Sequence, residues 1–202
     1  MLIPIYPTNP DEKKIKEIIN YLNDGQVIIL PTDGVYAFAC SMEKNRGIES
    51  MAKLKGIKPE KANFTFVFHT LSQLAAYTKQ VDTTTYKLLK RNLPGAFTFI
   101  LPANNAIPKV FKNKKTIGIR IPDNAICLHI TEMLGCPLLV SSVHDDDDVV
   151  EYTTDPELIH ERYEYQVAAV INGGYGTNIP STIVDCTGIE PEIIREGLGI
   201  LA

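Results

Sequence analysis

Apolar residues fall along this chain in two alternating patterns, which predict helices and strands in turn. Ile15, Ile18, Ile19 and Leu22 recur at helical spacing, so Asp11–Asn23 is predicted to be a helix with one buried face. The next apolar run, Val27–Pro31, is short and continuous, as in a strand that is covered on both faces. Both patterns recur to the end of the chain.

Ten strands and six helices are predicted from these patterns and from the turn residues between them. The strands are Leu2–Tyr6, Val27–Pro31, Tyr36–Cys40, Phe64–Phe68, Phe97–Leu101, Thr116–Ile121, Pro137–Val143, Val167–Asn172, Thr182–Cys186 and Glu192–Arg195. The helices after the first are Gly47–Leu54, Leu71–Thr78, Thr83–Asn92, Asn124–Leu134 and Asp155–Tyr165. Because the alternation has no strict βαβ rhythm, we expect an α/β fold with a twisted, mixed parallel and antiparallel sheet and helices on its faces. A chain of 202 residues fits a single domain, 1–202.

Charge is segregated along the chain, although the whole has a formal net charge of only -4. From Lys53 to Arg120 there are 13 Lys and Arg against two acids, Glu60 and Asp82. Residues 121–202 carry 2 basic and 15 acidic side chains. Such segregation favours a concave basic surface that receives an anion. The alternative is that these lysines are scattered over solvated helix faces.

Composition excludes several classes of protein. No apolar stretch is long enough to span a membrane, and the N-terminus does not have the pattern of a signal peptide. The four cysteines are isolated, without a CxxC pair or a histidine at ligand spacing, so we expect reduced, mostly buried thiols in a cytoplasmic protein and no metal site built from them.

Candidate binding residues stand at strand ends, where ligand sites of α/β sheets usually lie. Thr32 ends a strand, and its hydroxyl faces either a ligand or the local turn. Arg120 lies among apolar strand residues, so it needs an anionic ligand or an internal carboxylate. Small hydroxyls mark the strand ends at Ser142 and Ser181, and Arg195 ends another strand.

The stretch Met51–Asn63 adds lysines at a helix end and turn that break at Gly56 and Pro59. It lacks the GxxxxGK[ST] spacing of a P-loop, but its lysines could still bind a triphosphate as point charges.

In chain order, the segments PTDGVYAF, KGIKP, PGAFTFIL, TIGIRIP, PLLVSSV, STIVDCTG and IREG resemble the YrdC-like family of L-threonylcarbamoyl-AMP synthases. The resemblance covers about residues 10–200. TIGIRIP, NFT, NGGY and REG look most like the YciO branch of that family. The fold this implies is a single YrdC-like domain whose sheet forms a large, basic concave surface.

The resemblance implies a nucleotidyltransferase that condenses L-threonine, bicarbonate and ATP into threonylcarbamoyl-AMP and pyrophosphate, at full or reduced activity in this chain. Mg²⁺ would be bound through the phosphates, and downstream tRNA-modification proteins would transfer the product to adenosine 37 of tRNA. By resemblance, the ATP-binding residues would be Lys55, Lys58, Thr116, Ser142 and Arg195, and the threonine-binding residues Thr32, Arg120 and Ser181, with Lys55, Lys58 and Arg120 serving catalysis.

The chain departs from the family pattern at four places. The second threonine of the family's Pro-Thr-x-Thr motif is Gly34 here, and the family's Lys-x-Arg-Pro is one residue longer, ending in Lys58-Pro59 without an arginine. Ser-Ala-Asn becomes Ser-Val-His at His144, and Phe68 stands where the family has a histidine, with His69 next to it. The acidic run Asp145–Asp148 is interpreted as an exposed loop, because four carboxylates beside a triphosphate would repel it unless Mg²⁺ lay between them.

Two other functions stay open at this stage. The basic segment, with Lys109, Lys112, Lys114 and Lys115 added to the first lysine group, could bind double-stranded RNA or tRNA. A related acyl-adenylate enzyme that uses another amino acid would have the same sequence pattern.

Overall fold

The computed structural model describes residues 1–143 and 151–202. Within them, ten strands form one sheet in the order β1-β8-β2-β3-β7-β4-β6-β5-β9-β10. The strands are β1 (Leu2–Pro4), β2 (Ile28–Leu30), β3 (Ala37–Ser41), β4 (Thr65–Val67), β5 (Phe97–Pro102), β6 (Thr116–Arg120), β7 (Leu138–Ser142), β8 (Ala169–Asn172), β9 (Thr182–Asp185) and β10 (Glu192–Arg195). Every predicted strand is therefore present, within a few residues at its ends.

The helices are α1 (Glu12–Asn23), α2 (Asn45–Leu54), α3 (Leu71–Leu74), α4 (Thr83–Asn92), α5 (Ala125–Leu134), α6 (Glu151–Thr154) and α7 (Pro156–Tyr163), with 3₁₀ turns at Pro59–Lys61 and Lys109–Phe111. Helix α3 is shorter than predicted. After Leu74, the amides of Ala76 and Tyr77 bond carbonyls only three residues back, and Thr78 then pairs with Ala103 as a β-bridge. The sequence pattern also missed the short helix α6.

The sheet is mixed, as predicted. Strands pair in parallel at β1–β8, β8–β2, β4–β6 and β5–β9, and antiparallel at β2–β3, β3–β7, β7–β4, β6–β5 and β9–β10. None of the described helices has the length and hydrophobicity that a membrane-spanning segment needs.

Two apolar layers lie on opposite faces of the sheet. On one face, Ile15, Ile18 and Leu22 of α1 pack with Ile126 and Ile130 of α5. On the other, aromatic residues of the strands pack against α2, α4 and α7; they include Phe38, Phe66 and Phe99. Because successive side chains of a strand point to opposite faces, β2 contributes to both layers, as its continuous apolar run predicted.

Helix α5 is joined to the loop that follows β2. The side chain of Asn124 caps the helix, accepting a hydrogen bond from the Cys127 amide at 3.0 Å. Its amide group also donates to the Thr32 carbonyl at 3.2 Å. One side chain therefore starts a helix and fixes the turn that leads into the candidate site.

Replacing Asn124 by alanine should lower the free energy of unfolding by about 1 kcal/mol, because the helix loses its capping acceptor. Asn124→Asp keeps that acceptor, so its free energy of unfolding should be closer to that of the original protein. Urea denaturation of the three proteins measures the difference, and an equal loss in both variants would contradict the capping role.

Candidate active site

A cavity of about 240 Å³ lies on the same face of the sheet as α1 and α5, over strands that these two helices leave uncovered. Strand register explains why its floor is open. Val140, Thr65, Gly118 and Ile100 are successive partners across β7, β4, β6 and β5, so they share one face; Val140 and Thr65 line this cavity, and Gly118 and Ile100 line the pocket next to it. The bulky partners Leu139, Phe66, Ile119 and Phe99 lie on the opposite face.

Three cationic side chains from distant parts of the chain line this cavity: Lys55, Arg120 and Arg195. Lys55 follows the last residue of α2, and Arg120 and Arg195 end β6 and β10. The predicted residues Ser142 and Ser181 line the same cavity. Five residues that the sequence suggested for one site are therefore brought together.

Arg120 is 6% exposed and pairs with the carboxylate of Asp33. The other oxygen of Asp33 accepts a hydrogen bond from the Asp123 amide at 2.9 Å. The internal carboxylate left open by the sequence is therefore Asp33, from the turn after Thr32. The Nε of Arg120 is buried without a hydrogen-bond partner among the described residues.

Arg195 is held by Ser181, whose carbonyl oxygen accepts from the guanidinium Nη2 at 2.7 Å and from Nε at 3.2 Å. Burial lowers the pKa of Arg195, and the nearby charge of Arg120 lowers it further. Two guanidinium groups thus place positive charge at one cavity, and among the described residues the Asp33 carboxylate pairs with one of them. An anionic ligand would neutralise part of this charge.

The hydroxyl groups of the cavity are held by local contacts. Ser181 Oγ lies 2.8 Å from Thr98 Oγ1, and both residues are buried. The carbonyl oxygen of Ser142 accepts from Lys55 Nζ at 3.2 Å, and the same ammonium group lies 5.9 Å from the Phe38 ring centroid. Lys55 is therefore oriented by β7 and β3 toward the cavity.

Three predicted residues lie elsewhere. The Thr32 hydroxyl donates to the Val35 carbonyl at 2.7 Å and accepts from the Gly34 amide at 3.2 Å, so it bonds the local turn. Thr116 lines a neighbouring pocket rather than this cavity. Lys58 is exposed in the turn after α2 and is not among the residues that line the cavity.

The loop that carries NGGY docks against the turn after β2. The Tyr36 hydroxyl donates to the Gly174 carbonyl at 2.6 Å, and the Thr177 amide donates to the Gly34 carbonyl at 3.0 Å. Burial raises the pKa of Tyr36 to about 12, so the phenol stays protonated and keeps donating.

At the family's histidine position, Phe68 is buried in the apolar layer on the face opposite the cavity. The ring of His69 instead contacts Gln73 Oε1 at 2.9 Å. His144 and Asp145–Asp148 lie outside the described residues.

The thiols take no part in this site. Cys40, Cys127, Cys136 and Cys186 are free and buried, as predicted, and burial raises the pKa of each. In residues 1–143 and 151–202, no group of three or more His, Cys, Asp or Glu side chains is placed to hold a metal ion.

Sequence reasoning missed the partners that organise the cavity. Asp33 was not assigned a role, and neither were Asn63, Thr65 and Thr98, which line the cavity too. Asp33 lies 87 positions from Arg120, and no local pattern connects the two.

Substitutions at the buried pair of Asp33 and Arg120 test its contribution to stability. Asp33→Asn should lower the free energy of unfolding by about 3 kcal/mol, because it leaves a buried guanidinium without its carboxylate. Arg120→Met leaves the buried Asp33 carboxylate without its cation, and the double variant removes both charges. Urea denaturation of the four proteins measures the free energy of unfolding. We expect it to fall by less in the double variant than the sum of its falls in the two single variants. Strictly additive losses would contradict the coupling.

Comparisons with known proteins agree with the fold and extend to nearly the whole chain. The model of the Sua5/YciO/YrdC family, described as telomere recombination, matches residues 20–197. An uncharacterized protein of Haemophilus influenzae is 40% identical over 200 residues, covering 98% of this chain and 96% of the relative. The uncharacterized YciO protein of Escherichia coli is 37% identical over 198 residues, 96% and 94% of the two chains.

Relatives named for an activity are more distant. The threonylcarbamoyl-AMP synthase of Vibrio campbellii is 25% identical over 189 residues, covering 92% of this chain and all of the relative.

Among the solved structures, too, a YciO protein is more similar to this chain than a Sua5 protein is. The crystal structure of E. coli YciO has a TM-score of 0.89 at 35% identity and covers 99% of this chain and 97% of its own. Sua5 of Pyrococcus abyssi, crystallised with L-threonine, has a TM-score of 0.86 at 22% identity, a likeness of fold in which this chain spans 57% of the Sua5 chain. The chain therefore belongs to the Sua5/YciO/YrdC family.

Proposed function

We propose that this protein is an ATP-dependent L-threonylcarbamoyl-AMP synthase. The observation that carries the proposal is the meeting of Lys55, Arg120 and Arg195 with two strand-end serines at one cavity. Three of the described residues that line the cavity are cations and none of them is an acid, which fits a triphosphate and an amino-acid carboxylate. The name of the V. campbellii relative and the threonine in the Sua5 crystal supply the reaction and the amino acid.

The proposed chemistry has two steps. The threonine amine attacks the carbon of bicarbonate, water leaves, and a carbamate forms. A carbamate oxygen then attacks the α-phosphorus of ATP, the bond from that phosphorus to the β-phosphate oxygen breaks, and pyrophosphate leaves. Catalysis then consists mainly of positioning the reactants and neutralising charge that develops on the phosphates.

In this reaction the cavity side chains bind and orient. Arg195 and Lys55 would contact the phosphates beside Ser142, while Arg120 and Ser181 would hold threonine. Because Asp33 accepts from one nitrogen of Arg120, other N–H groups of that guanidinium are left for the threonine carboxylate.

Thr32, Thr116 and Lys58 have weaker support as ligands. The Thr32 oxygen already accepts one hydrogen bond, and its second lone pair could accept from the threonine amine. Thr116 would meet ATP from the neighbouring pocket, and Lys58 would have to reach in from an exposed turn. A lysine cannot donate two parallel hydrogen bonds to a phosphate, as an arginine does. We therefore expect turnover below that of relatives with the Lys-x-Arg-Pro pattern.

Mg²⁺ would enter this site bound to the phosphates of the substrate, and the described residues offer no cluster of ligands for it. Held by phosphate oxygens, it would neutralise part of the triphosphate charge.

The test is pyrophosphate release from ATP, with threonylcarbamoyl-AMP identified by mass spectrometry. We expect release that requires both threonine and bicarbonate, and a fall of about 100-fold in Arg195→Ala, because one preorganised donor to the phosphates is lost. Arg91→Ala is the matched control, since it removes the same charge from an exposed position near the end of α4. Release no higher than without threonine would contradict the proposal, and equal release with another amino acid would point to a related acyl-adenylate enzyme.

A second candidate function, binding of double-stranded RNA or tRNA, has one observation in its favour. A basin of about 610 Å³ opens beside the site and has no acidic side chain among its lining residues. Its lysines are Lys79, Lys109, Lys112, Lys114 and Lys115. Clustered lysines of this kind bind nucleic acid by neutralising phosphates and releasing counterions.

Salt dependence tests this candidate. RNA affinity should fall steeply with salt, and the triple variant Lys109→Gln, Lys112→Gln, Lys115→Gln should reduce the slope of log K against log salt by about 3. The control replaces three exposed cations of α4, Lys87, Lys90 and Arg91, in the same way. Absence of binding at low salt, or the same slope in both triple variants, would rule out the basin as the RNA site.

A further inference from the structure

The segment that follows β10, residues 197–202, folds back onto the sheet beside the candidate site. The Leu198 amide donates a hydrogen bond to the Pro180 carbonyl at 2.9 Å. Further along, the Ala202 amide donates to Asn92 Oδ1 at 2.9 Å. The segment is therefore held at two points soon after β10, and we call it the C-terminal strap.

The Thr182 hydroxyl joins this strap to β9. Thr182 is 2% exposed, and its Oγ1 donates to the Gly199 carbonyl at 2.6 Å and accepts from the Gly197 amide at 3.0 Å. Its hydrogen and one lone pair are thus used inside the protein. Ser181 and Ile183 on either side line the cavity of the candidate site, but Thr182 does not, because successive side chains of a strand point to opposite faces. Thr182 therefore acts on the strap and not on a ligand in the cavity.

Two glycines allow the strap to lie this close to the sheet. A Cβ at Gly197 would overlap the Pro180 carbonyl oxygen, and a Cβ at Gly199 would lie 2.6 Å from the Phe97 ring. A larger residue at either position would push the strap away from β9 and β5. The close approach brings the Gly199 carbonyl within reach of the Thr182 hydroxyl.

Arg195 ends β10 two residues before Gly197, and packing alone holds this strand weakly. Ile193 and Ile194 are 45% and 52% exposed, and the pairing of β10 with β9 shifts register between Ile193 and Arg195. β10 is also the last strand in the order of the described sheet, next to β9. The position of the Arg195 guanidinium therefore depends on how the chain on either side of it is held, and the Thr182 hydroxyl holds the side that follows.

We propose that Thr182 is a positioning residue for the reaction: its hydroxyl fixes the strap and so keeps Arg195 directed at the phosphates of ATP. Because it requires Arg195 to bind those phosphates, this inference rests on the proposed function. A donor that is already in place costs less free energy of ordering when the ligand binds than one on a loose strand end. Arg120, the proposed ligand of the threonine carboxylate, is held by Asp33 instead and does not depend on the strap.

Thr182→Val tests this role, because it keeps the shape of the side chain and removes its hydroxyl. Calorimetric titration should show ATP binding about tenfold weaker in this variant, the loss expected for one or two hydrogen bonds. In the pyrophosphate-release assay, the KM for ATP should rise in proportion, while the KM for threonine should change by less than about twofold. Thr182→Ser keeps the hydroxyl, so its ATP affinity should stay within about twofold of that of the original protein.

A double variant tests whether Thr182 acts through Arg195. In a protein that already carries Arg195→Ala, Thr182→Val should weaken ATP binding no further, because the guanidinium that it positions is absent. Thr131→Val is the matched control: Thr131 is buried in α5, and its hydroxyl donates to the Cys127 carbonyl at 2.8 Å. This control loses a buried hydrogen bond away from the strap and should keep the ATP affinity of the original protein.

Three results would overturn the positioning role. They are an unchanged ATP affinity in Thr182→Val, a loss that adds in full to that of Arg195→Ala, and equal rises in the KM values for ATP and threonine, which would mean that β9 is disturbed as a whole. ATP binding by the original protein together with any of these results refutes this inference alone. If the original protein does not bind ATP, the proposed function fails and this inference fails with it.

Discussion

The candidate site is defined by two arginines, Arg120 and Arg195, that line one small cavity. Arg120 and Arg195 come from strands separated in the sheet by β5 and β9, yet the charge of one lowers the pKa of the other. Among the described residues, Arg120 pairs with the Asp33 carboxylate and Arg195 is held by a carbonyl oxygen. Two guanidinium groups at one cavity, of which one has a described carboxylate partner, favour an anion at this place.

Strand register determines where that anion can lie. The floor residues share one face because they are direct partners across four strands, and the site would be filled if their side chains were large. Gly118 shows how little room there is: a Cβ at this position would lie 3.2 Å from Thr98 Cγ2 and 3.7 Å from Thr65 Oγ1. The opposite face carries the aromatic side chains that supply the buried apolar area. The sheet is thus stabilised from one side and left open for binding on part of the other.

Much of the fold could be predicted from the sequence, because apolar periodicity is a local property. All ten strands were found, and the mixed sheet followed from the irregular order of helices and strands. The pairing of Asp33 with Arg120 could not be predicted, since it depends on how β2 and β6 are brought together. Equally, Lys114 and Asn63 are 51 positions apart and meet only in the folded chain. Lys58 was grouped with Lys55 by proximity in sequence, but the turn at Gly56 separates their positions.

Gly34 shows how a departure from the family pattern is linked to the shape of the site. A Cβ at this position would lie 3.1 Å from the Ile179 carbonyl oxygen and 3.2 Å from Leu198 Cδ1, so a threonine would require the loop before β9 to move. Without that side chain, the loop docks closely, with hydrogen bonds from Thr177 to Gly34 and from Tyr36 to Gly174.

The cavity shares lining residues with the pocket that Thr116 lines, and that pocket shares Lys114 with the lysine basin. The lysines that the charge count singled out stand in the turn between β5 and β6, while Arg120 ends β6 in the cavity. Positive charge that is close in sequence is therefore also placed along neighbouring spaces of the fold, which favours a ligand with several negative charges over a single small anion.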